Sequence, residues 1–409
     1  VWFPWYQRDP AHLNEAFAGT APEIHLWVEM YFQALRHEYR SAYRAIIRYG
    51  DSALAAAAAV RIPGVYLAES SDMLFSHLDR LPPLKPGQRI ERVMNPEAVA
   101  PAIEAALLSL SPPDSASPAI RAVATETAHS ARQSGGDPLR TAGLNFHDLP
   151  DGQVLVRSHT GAPGTPVLLL HDAPGGGRNL IGLYHALAAL RSVLLPDLPG
   201  CGESDPLAAA QSSLSDHADA LARVIAACAP GAVHVHAVGI GAALALELNA
   251  RHPALVKAVT LTGLLRTTGA ERRAMIGRLA PPLRLDDHGG HWYRTWLMLR
   301  DSQVRWPWYD RAPAALRRQA TDLDAAHLHA WTCDVMRQWN TYHRIIDAVL
   351  EWDHELPLAQ AAHKMTVAID PHHALYAADL GWAAARDVKR LTLPDDPSDR
   401  ARLIAGIAP

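Results

Sequence analysis

Four short stretches carry the residue types from which a reaction centre can be built. His171-Asp172 end the apolar run VLLL and lead into the glycine-rich turn Ala173-Pro174-Gly175-Gly176. Asp370, His372 and His373 follow the run MTVAI, and Asp395 and Asp396 follow RLTLP. The fourth stretch, HVHAVGIGAALALELNARHP, spans 234–253 and turns at Gly239. Carboxylates near imidazoles suit general acid–base work, because one group can hold a proton that the other releases. Asp172, at a strand tip, is a candidate acid or base; capping of the next turn is its plainer role. His372 and His373 facing Asp395 and Asp396 would make a His/Asp pair able to activate water; solvated loop residues are the plainer alternative. Gly239 offers no nucleophile, yet glycine bears a strained turn better than any other residue.

Those stretches need elements to hold them. PVLLLHDAPGGG (166–177) reads as a buried strand and turn, LIGLYHALAAL (180–190) as an amphipathic helix, and SVLLPDLPGCGESD (192–205) as a strand and loop. HADALARVIAAC (217–228) reads as a helix, and AVHVHAVG (232–239) and AVTLTG (258–263) as strands. Short apolar runs alternating with helices predict a parallel sheet covered on both faces. LNFHDLPDGQVLVRSHTG (144–161) alternates polar and apolar residues around Pro150-Asp151-Gly152, which predicts a β-hairpin.

Composition narrows the function classes. The 409 residues are 49% hydrophobic and 20% charged, which allows a packed core and argues against disorder. A formal net charge of -4 carries no nucleic-acid signature. No apolar stretch is long enough to span a bilayer, so no membrane partner is expected. Cys201, Cys228 and Cys333 make neither a disulfide framework nor a metal-ligand spacing, and suit a reducing, cytoplasmic compartment. Cys201 reads as a packed small residue and His236 as a buried, hydrogen-bonded one. His288 and His291 lack a carboxylate or cysteine partner at a persuasive spacing, so neither a metal nor another cofactor is expected. The chain opens on VWFPWYQRDP with no Met, and the expectation is that the natural N-terminus lies upstream.

Four motifs in order resemble the α/β-hydrolase superfamily. His171-Asp172-Ala173-Pro174-Gly175-Gly176 stands where that family has its HG turn. Asp197-Leu198-Pro199-Gly200-Cys201-Gly202-Glu203-Ser204 matches D-x-P-G-x-G-x-S, and Ala237-Val238-Gly239-Ile240-Gly241 stands at the G-x-S-x-G elbow. The elbow helix AALALELNARHP and the strand VKAVTLTG follow. The resemblance covers 145–409 and implies an α/β fold with a doubly wound, mostly parallel sheet and a helical lid at about 264–355. It also implies a Ser, acid and His in chain order, and here the sequence departs. The serine position holds Gly239. The acid position falls at His373, with Asp370 three residues earlier. After the last strand come Pro394, Asp395 and Asp396, and no histidine. An engineered Ser→Gly at 239 would not account for that missing base. The resemblance further implies an oxyanion site of backbone N–H groups after His171, at Ala173, and at Ile240 beside Gly239, with the helix's positive end behind it. In the lid, Trp292, Tyr293, Trp296, Trp306, Trp308 and Tyr309 would line an apolar pocket, with Arg294, Arg300 or Arg305 to meet a carboxylate; packing of the lid onto the core is the alternative, and the recurrence of WPWY as FPWY in the first ten residues favours packing for that tetrapeptide.

A repeat sets the domain organisation. VWFPWYQRDP (1–10) matches VRWPWYDRAP (304–313), with Trp5, Tyr6 and Arg8 on Trp308, Tyr309 and Arg311. Ile46-Ile47 align with Ile345-Ile346, GVYLAES (64–70) with MTVAIDP (365–371), and RIERVMN (89–95) with VKRLTLP (388–394). Asp72 sits at the acid position of this first copy, which also lacks the histidine. Residues 1–110 then form the lid and last strands of one α/β-hydrolase-like domain, 111–143 a linker, and 144–409 a complete second domain. Half a doubly wound sheet leaves an edge open, so the strands near 64–69 and 89–94 are expected to pair outside 1–110. A missing upstream half-domain or another chain is the expected partner. The leading function is lyase, hydratase or water-based hydrolytic chemistry on a small organic substrate. A pseudo-hydrolase that holds a ligand or partner is the second. The third is an esterase or C–C hydrolase relative, inactivated or completed by another chain.

Overall fold

The computed structural model describes residues 9–10, 20–35, 44–45, 48–49, 52–72, 75–109, 142–209, 211–229, 231–317, 321–386 and 388–407. The chain divides into two compact units, residues 1–23 with 30–135 and residues 24–29 with 136–409. The expected linker up to 141, residues 1–8 of the repeated decamer and Ile46-Ile47 lie outside the described residues.

Helices α1 (Ala21–Leu35) and α2 (Ala53–Ala59) precede the first strands. β1 (Gly64–Glu69) and β2 (Gln88–Val93) pair with each other in parallel, from Gly64↔Gln88 to Glu69↔Val93. Among the described residues these two strands pair with each other and with no further strand. The Asn95 side chain accepts the Ala98 N–H at 2.9 Å and starts the turn that leads into α3 (Val99–Ser109).

The second unit is built on one eight-stranded sheet. β3 (Ala142–Leu149) and β4 (Gly152–His159) form the hairpin that the Pro150-Asp151 turn predicts, closing at Leu149↔Gly152. There follow β5 (Val167–Leu170), α4 (Ile181–Ala188), β6 (Val193–Pro196), α5 (Leu214–Cys228), β7 (Val233–Val238), α6 (Ile240–Arg251) and β8 (Val256–Thr262). A helical insertion comes next: α7 (Gly269–Met275), α8 (Gly290–Val304), α9 (Ala325–Met336), α10 (Arg344–Glu351) and α11 (Glu355–Ala361). β9 (Met365–Ile369), α12 (Tyr376–Ala385), β10 (Arg390–Thr392) and α13 (Pro397–Ala405) complete it. The strand order is β10-β9-β8-β7-β5-β6-β4-β3, with β5 to β10 parallel and the hairpin antiparallel at the edge.

The sequence alternation explains the layering. Every residue of β5 and β6 is buried. Leu168 and Leu170 pack into one cluster with Leu221, Leu244 and Ile345, while Val167 and Leu169 pack into another with Tyr184, Leu187 and Ile404. Period-two side chains thus feed two cores, one on each face. Helix starts are fixed locally: Ser213 and Asp216 form a capping box on α5, and Thr268 and Glu271 form one on α7.

Candidate active site

β6 lies on one side of β5 and β7 on the other, so the chain reverses its winding there. Such a switch point opens a crevice at the carboxyl ends of the strands. Gly239 ends β7 at that crevice with φ 58° and ψ −119°, a conformation L side chains rarely adopt. A Cβ on Gly241 would sit 2.6 Å from the His171 carbonyl oxygen. Glycine at that position lets α6 start flush against the end of β5.

The group that fills the elbow comes from β5's tip. A Cβ on Gly239 would land on the Asp172 carboxylate. Asp172 Oδ1 accepts the N–H of Ala173 and the N–H of Ile240, both at 2.8 Å. Those are the two amides that the resemblance assigns to an oxyanion site, and this chain supplies them with its own anion. Asp172 keeps part of its surface toward a cavity but is removed from bulk water. That desolvation raises its pKa to about 6, against the pull of the two amides. With Oδ1 accepting two bonds, the proton taken up on acidification belongs on Oδ2.

Two of the motifs act as tethers rather than reagents. His171 is fully buried; its Nδ1 meets the Asp172 carbonyl at 2.7 Å and its Nε2 accepts the Leu198 N–H at 2.9 Å. Asp197 accepts from Arg157 Nη1 and the Gly177 N–H at 2.7 Å and from the Glu203 N–H at 3.0 Å. Burial opposes ionisation of Asp197, yet Arg157 beside it holds its pKa below the usual carboxylate value. Burial pushes the Cys201 thiol far up, so it is no nucleophile. His236 is buried, as expected, and held neutral, its pKa lowered to about 3 by desolvation; its Nδ1 has no hydrogen-bond partner.

A cavity of about 260 Å³ adjoins the elbow. Met298, Leu299, Trp306, Trp308 and Trp331 give it an apolar wall; Asp172, Arg317, Asp370, His372 and His373 bring polar groups. His373 packs over Gly263 and its Nδ1 accepts the Leu375 N–H at 3.1 Å. Burial lowers its pKa to about 4, so at neutral pH it is uncharged with its proton on Nε2. Asp370 is engaged by Arg400 Nη1 at 2.8 Å and Nη2 at 3.2 Å, which outweighs its burial and lowers its pKa. His372 Nε2 and Asp395 Oδ1 meet at 2.8 Å, so one His/Asp pair forms across the two loops, at an exposed position.

Several expected site residues lie elsewhere. Asp396 caps α13 by accepting from Ser398 and Asp399 N–H groups, and Asp395 does not line the cavity. Trp292, Tyr293 and Trp296 are not part of the lining: α8 meets the cavity with its second half, through Met298, Leu299, Ser302 and Gln303. Trp292 is buried, and Tyr293 is exposed and stacks on Trp296. Arg294 pairs with Asp286 and Arg300 with Asp301, and neither they nor Arg305 line the cavity. The cation that does is Arg317, which no local motif announced. Among the described residues no group of three or more metal-ligating side chains gathers, and no helix is long and apolar enough to cross a membrane.

Comparison with known proteins bears on the second unit. Residues 165–297 match the family model of the alpha/beta hydrolase fold. An AB hydrolase superfamily protein of Gibberella zeae is 29% identical over 142 residues, 34% of this chain and 49% of that protein. A proline iminopeptidase of Heyndrickxia coagulans is 35% identical over 117 residues, 28% of this chain and 40% of that protein. The chain thus spans under half the length of the curated relatives it matches. A thermophilic esterase from Thermogutta terrifontis superposes with a TM-score of 0.47 at 15% identity, covering 64% of this chain and 94% of that one.

Proposed function

We propose that this chain, whose second unit has the α/β-hydrolase fold, performs proton-transfer chemistry of the lyase or hydratase kind on a small organic molecule. One observation carries the proposal: Asp172 Oδ1 occupies the two-amide cradle beside Gly239. Acyl transfer needs that cradle for the oxygen of a tetrahedral intermediate and needs a nucleophile. Here the cradle is filled and the elbow bears no side chain. What the site offers instead is a carboxylate whose pKa of about 6 suits exchange of a proton near neutrality. In an addition, Asp172 Oδ2 takes a proton from water as the water oxygen bonds to an electron-poor carbon. The Asp172 carboxyl then returns that proton to the neighbouring carbon, which restores its carboxylate, and the neutral His373 has an Nε2–H to offer as a hydrogen-bond donor. Elimination runs the same steps backwards.

The test is solvent exchange. The protein is incubated in D2O with small activated alkenes and their hydroxy adducts, and ¹H NMR follows deuterium entry and interconversion. Turnover that disappears in Asp172→Asn supports the proposal. Stoichiometric labelling by a fluorophosphonate, with no exchange, overturns it. A ligand-holding pseudo-hydrolase is the second reading, favoured by the way Asp172 closes the cradle as an internal ligand would. Saturable ligand binding with no exchange at any pH would select it.

The duplication remains a proposal as well. β1 and β2 pair in parallel and lead through Asn95-Pro96 into a helix, as β9 and β10 do through Asp396-Pro397. On this proposal an upstream half-domain or another chain pairs with β1 and β2. The intact mass and oligomeric state of the natural protein test it.

A further inference from the structure

Arg317 stands apart from the other arginines of the second unit. It lines the cavity, and its Nη1 and Nη2 donate to the Ser302 and His372 carbonyl oxygens at 2.8 and 2.6 Å. Its Nε is buried and makes no hydrogen bond. No carboxylate forms an ion pair with it among the described residues; the Asp370 charge acts on it through space, but that carboxylate is hydrogen-bonded to both Nη atoms of Arg400. A guanidinium whose hydrogen bonds run to two neutral carbonyls, with no carboxylate hydrogen-bonded to it, is an incomplete site, because a half-buried charge is costly until it meets an opposite one. The planar fork matches a carboxylate better than any other small anion group it could meet in an apolar setting.

The rest of the cavity limits the body of such a ligand. Its volume of about 260 Å³ holds roughly nine waters' worth of matter at ~30 Å³ each, hence about ten non-hydrogen atoms. Trp306, Trp308, Trp331 and Met298 present flat or polarizable surfaces to it.

We propose that the cavity binds a small monocarboxylate with an aromatic or flat apolar body, its carboxylate on Arg317 and its far end toward Asp172. This rests on the functional reading above for the site's use, but it concerns binding alone and stands or falls without turnover.

The experiment uses the full chain and two matched probes, 3-phenylpropionate and 3-phenylpropionamide. Binding is read by tryptophan emission and by saturation-transfer NMR. The expected result is saturable binding of the acid, with the amide weaker by roughly ten- to a hundred-fold, the loss for a hydrogen-bonded charge. Arg317→Gln should weaken the acid by a similar factor and leave the amide unchanged. Because Arg317 also braces two carbonyls, the acid–amide contrast on the unaltered protein stands as an independent measurement. Equal binding of acid and amide, or no binding of either, overturns the proposal. Binding of the acid with no exchange chemistry would leave it standing and remove the catalytic reading instead.

Discussion

Replacing Gly239 by Ser puts a side chain where the Asp172 carboxylate sits, and the cost can be worked from the structure. The added Cβ would lie well inside van der Waals contact with both Asp172 oxygens. The carboxylate must therefore leave the Ala173 and Ile240 amides, a loss of about 2 kcal/mol for hydrogen bonds to a charged group. A non-glycine residue at φ 58° adds about 2 kcal/mol of backbone strain. Gly239→Ser should thus destabilise by about 4 kcal/mol. Asp172→Gly should stay within about 1 kcal/mol of the parent at pH 8, since it removes both the bonds and an anion that burial disfavours. With both changes together the clash is gone and only the backbone strain remains, about 2 kcal/mol. The two sites then couple by about 2 kcal/mol. Urea unfolding of the four proteins at pH 8, followed by tryptophan fluorescence, measures this. Effects that add to within about 0.5 kcal/mol would refute the placement of the carboxylate on Gly239.

Other outcomes follow from the same geometry. Asp172 has a folded pKa of about 6 against an ordinary 3.8, so the folded state binds the extra proton between those values. Stability should fall as pH rises through that window, by up to about 3 kcal/mol; Asp172→Asn, which keeps an oxygen on both amides, should remove the slope and be the more stable protein at pH 8. The natural chain should not react with a fluorophosphonate, read by intact mass, because Gly239 bears no side chain to attack it, and Gly239→Ser should react little, because Asp395 and Asp396 rather than a histidine follow β10. Asp197→Ala should cost about 3–5 kcal/mol by leaving Arg157 buried without its partner, measured by chemical denaturation. Iodoacetamide should leave Cys201 unmodified in the folded protein, checked by peptide mass mapping.

Features set by neighbours in sequence were legible. The hairpin at Pro150-Asp151, the alternation that buries β5 on both faces, and the turn at Gly239 all follow from local residue types. The place of Asp172 at a strand tip was legible too, while its raised pKa and the amides that hold it depend on packing of β5 against α6. Of the lid aromatics, Trp306 and Trp308 line the cavity while Trp292, Tyr293 and Trp296 do not, because composition says how many tryptophans an insertion has, while the register of α8 against the cavity decides which face it. Arg317 escaped notice because its meaning lies in contacts with Ser302 and His372, which belong to separate elements. β1 and β2 pair in parallel, as β9 and β10 do, and no further strand pairs with them among the described residues.

The overlap between a Cβ at position 239 and the Asp172 carboxylate also makes the two positions mutually exclusive. A side chain on the elbow and a carboxylate on the Ala173 and Ile240 amides cannot be present at once. The cradle is therefore a single seat: whatever fills the elbow, or brings an oxygen of its own to the two amides, has first to turn the Asp172 carboxylate out.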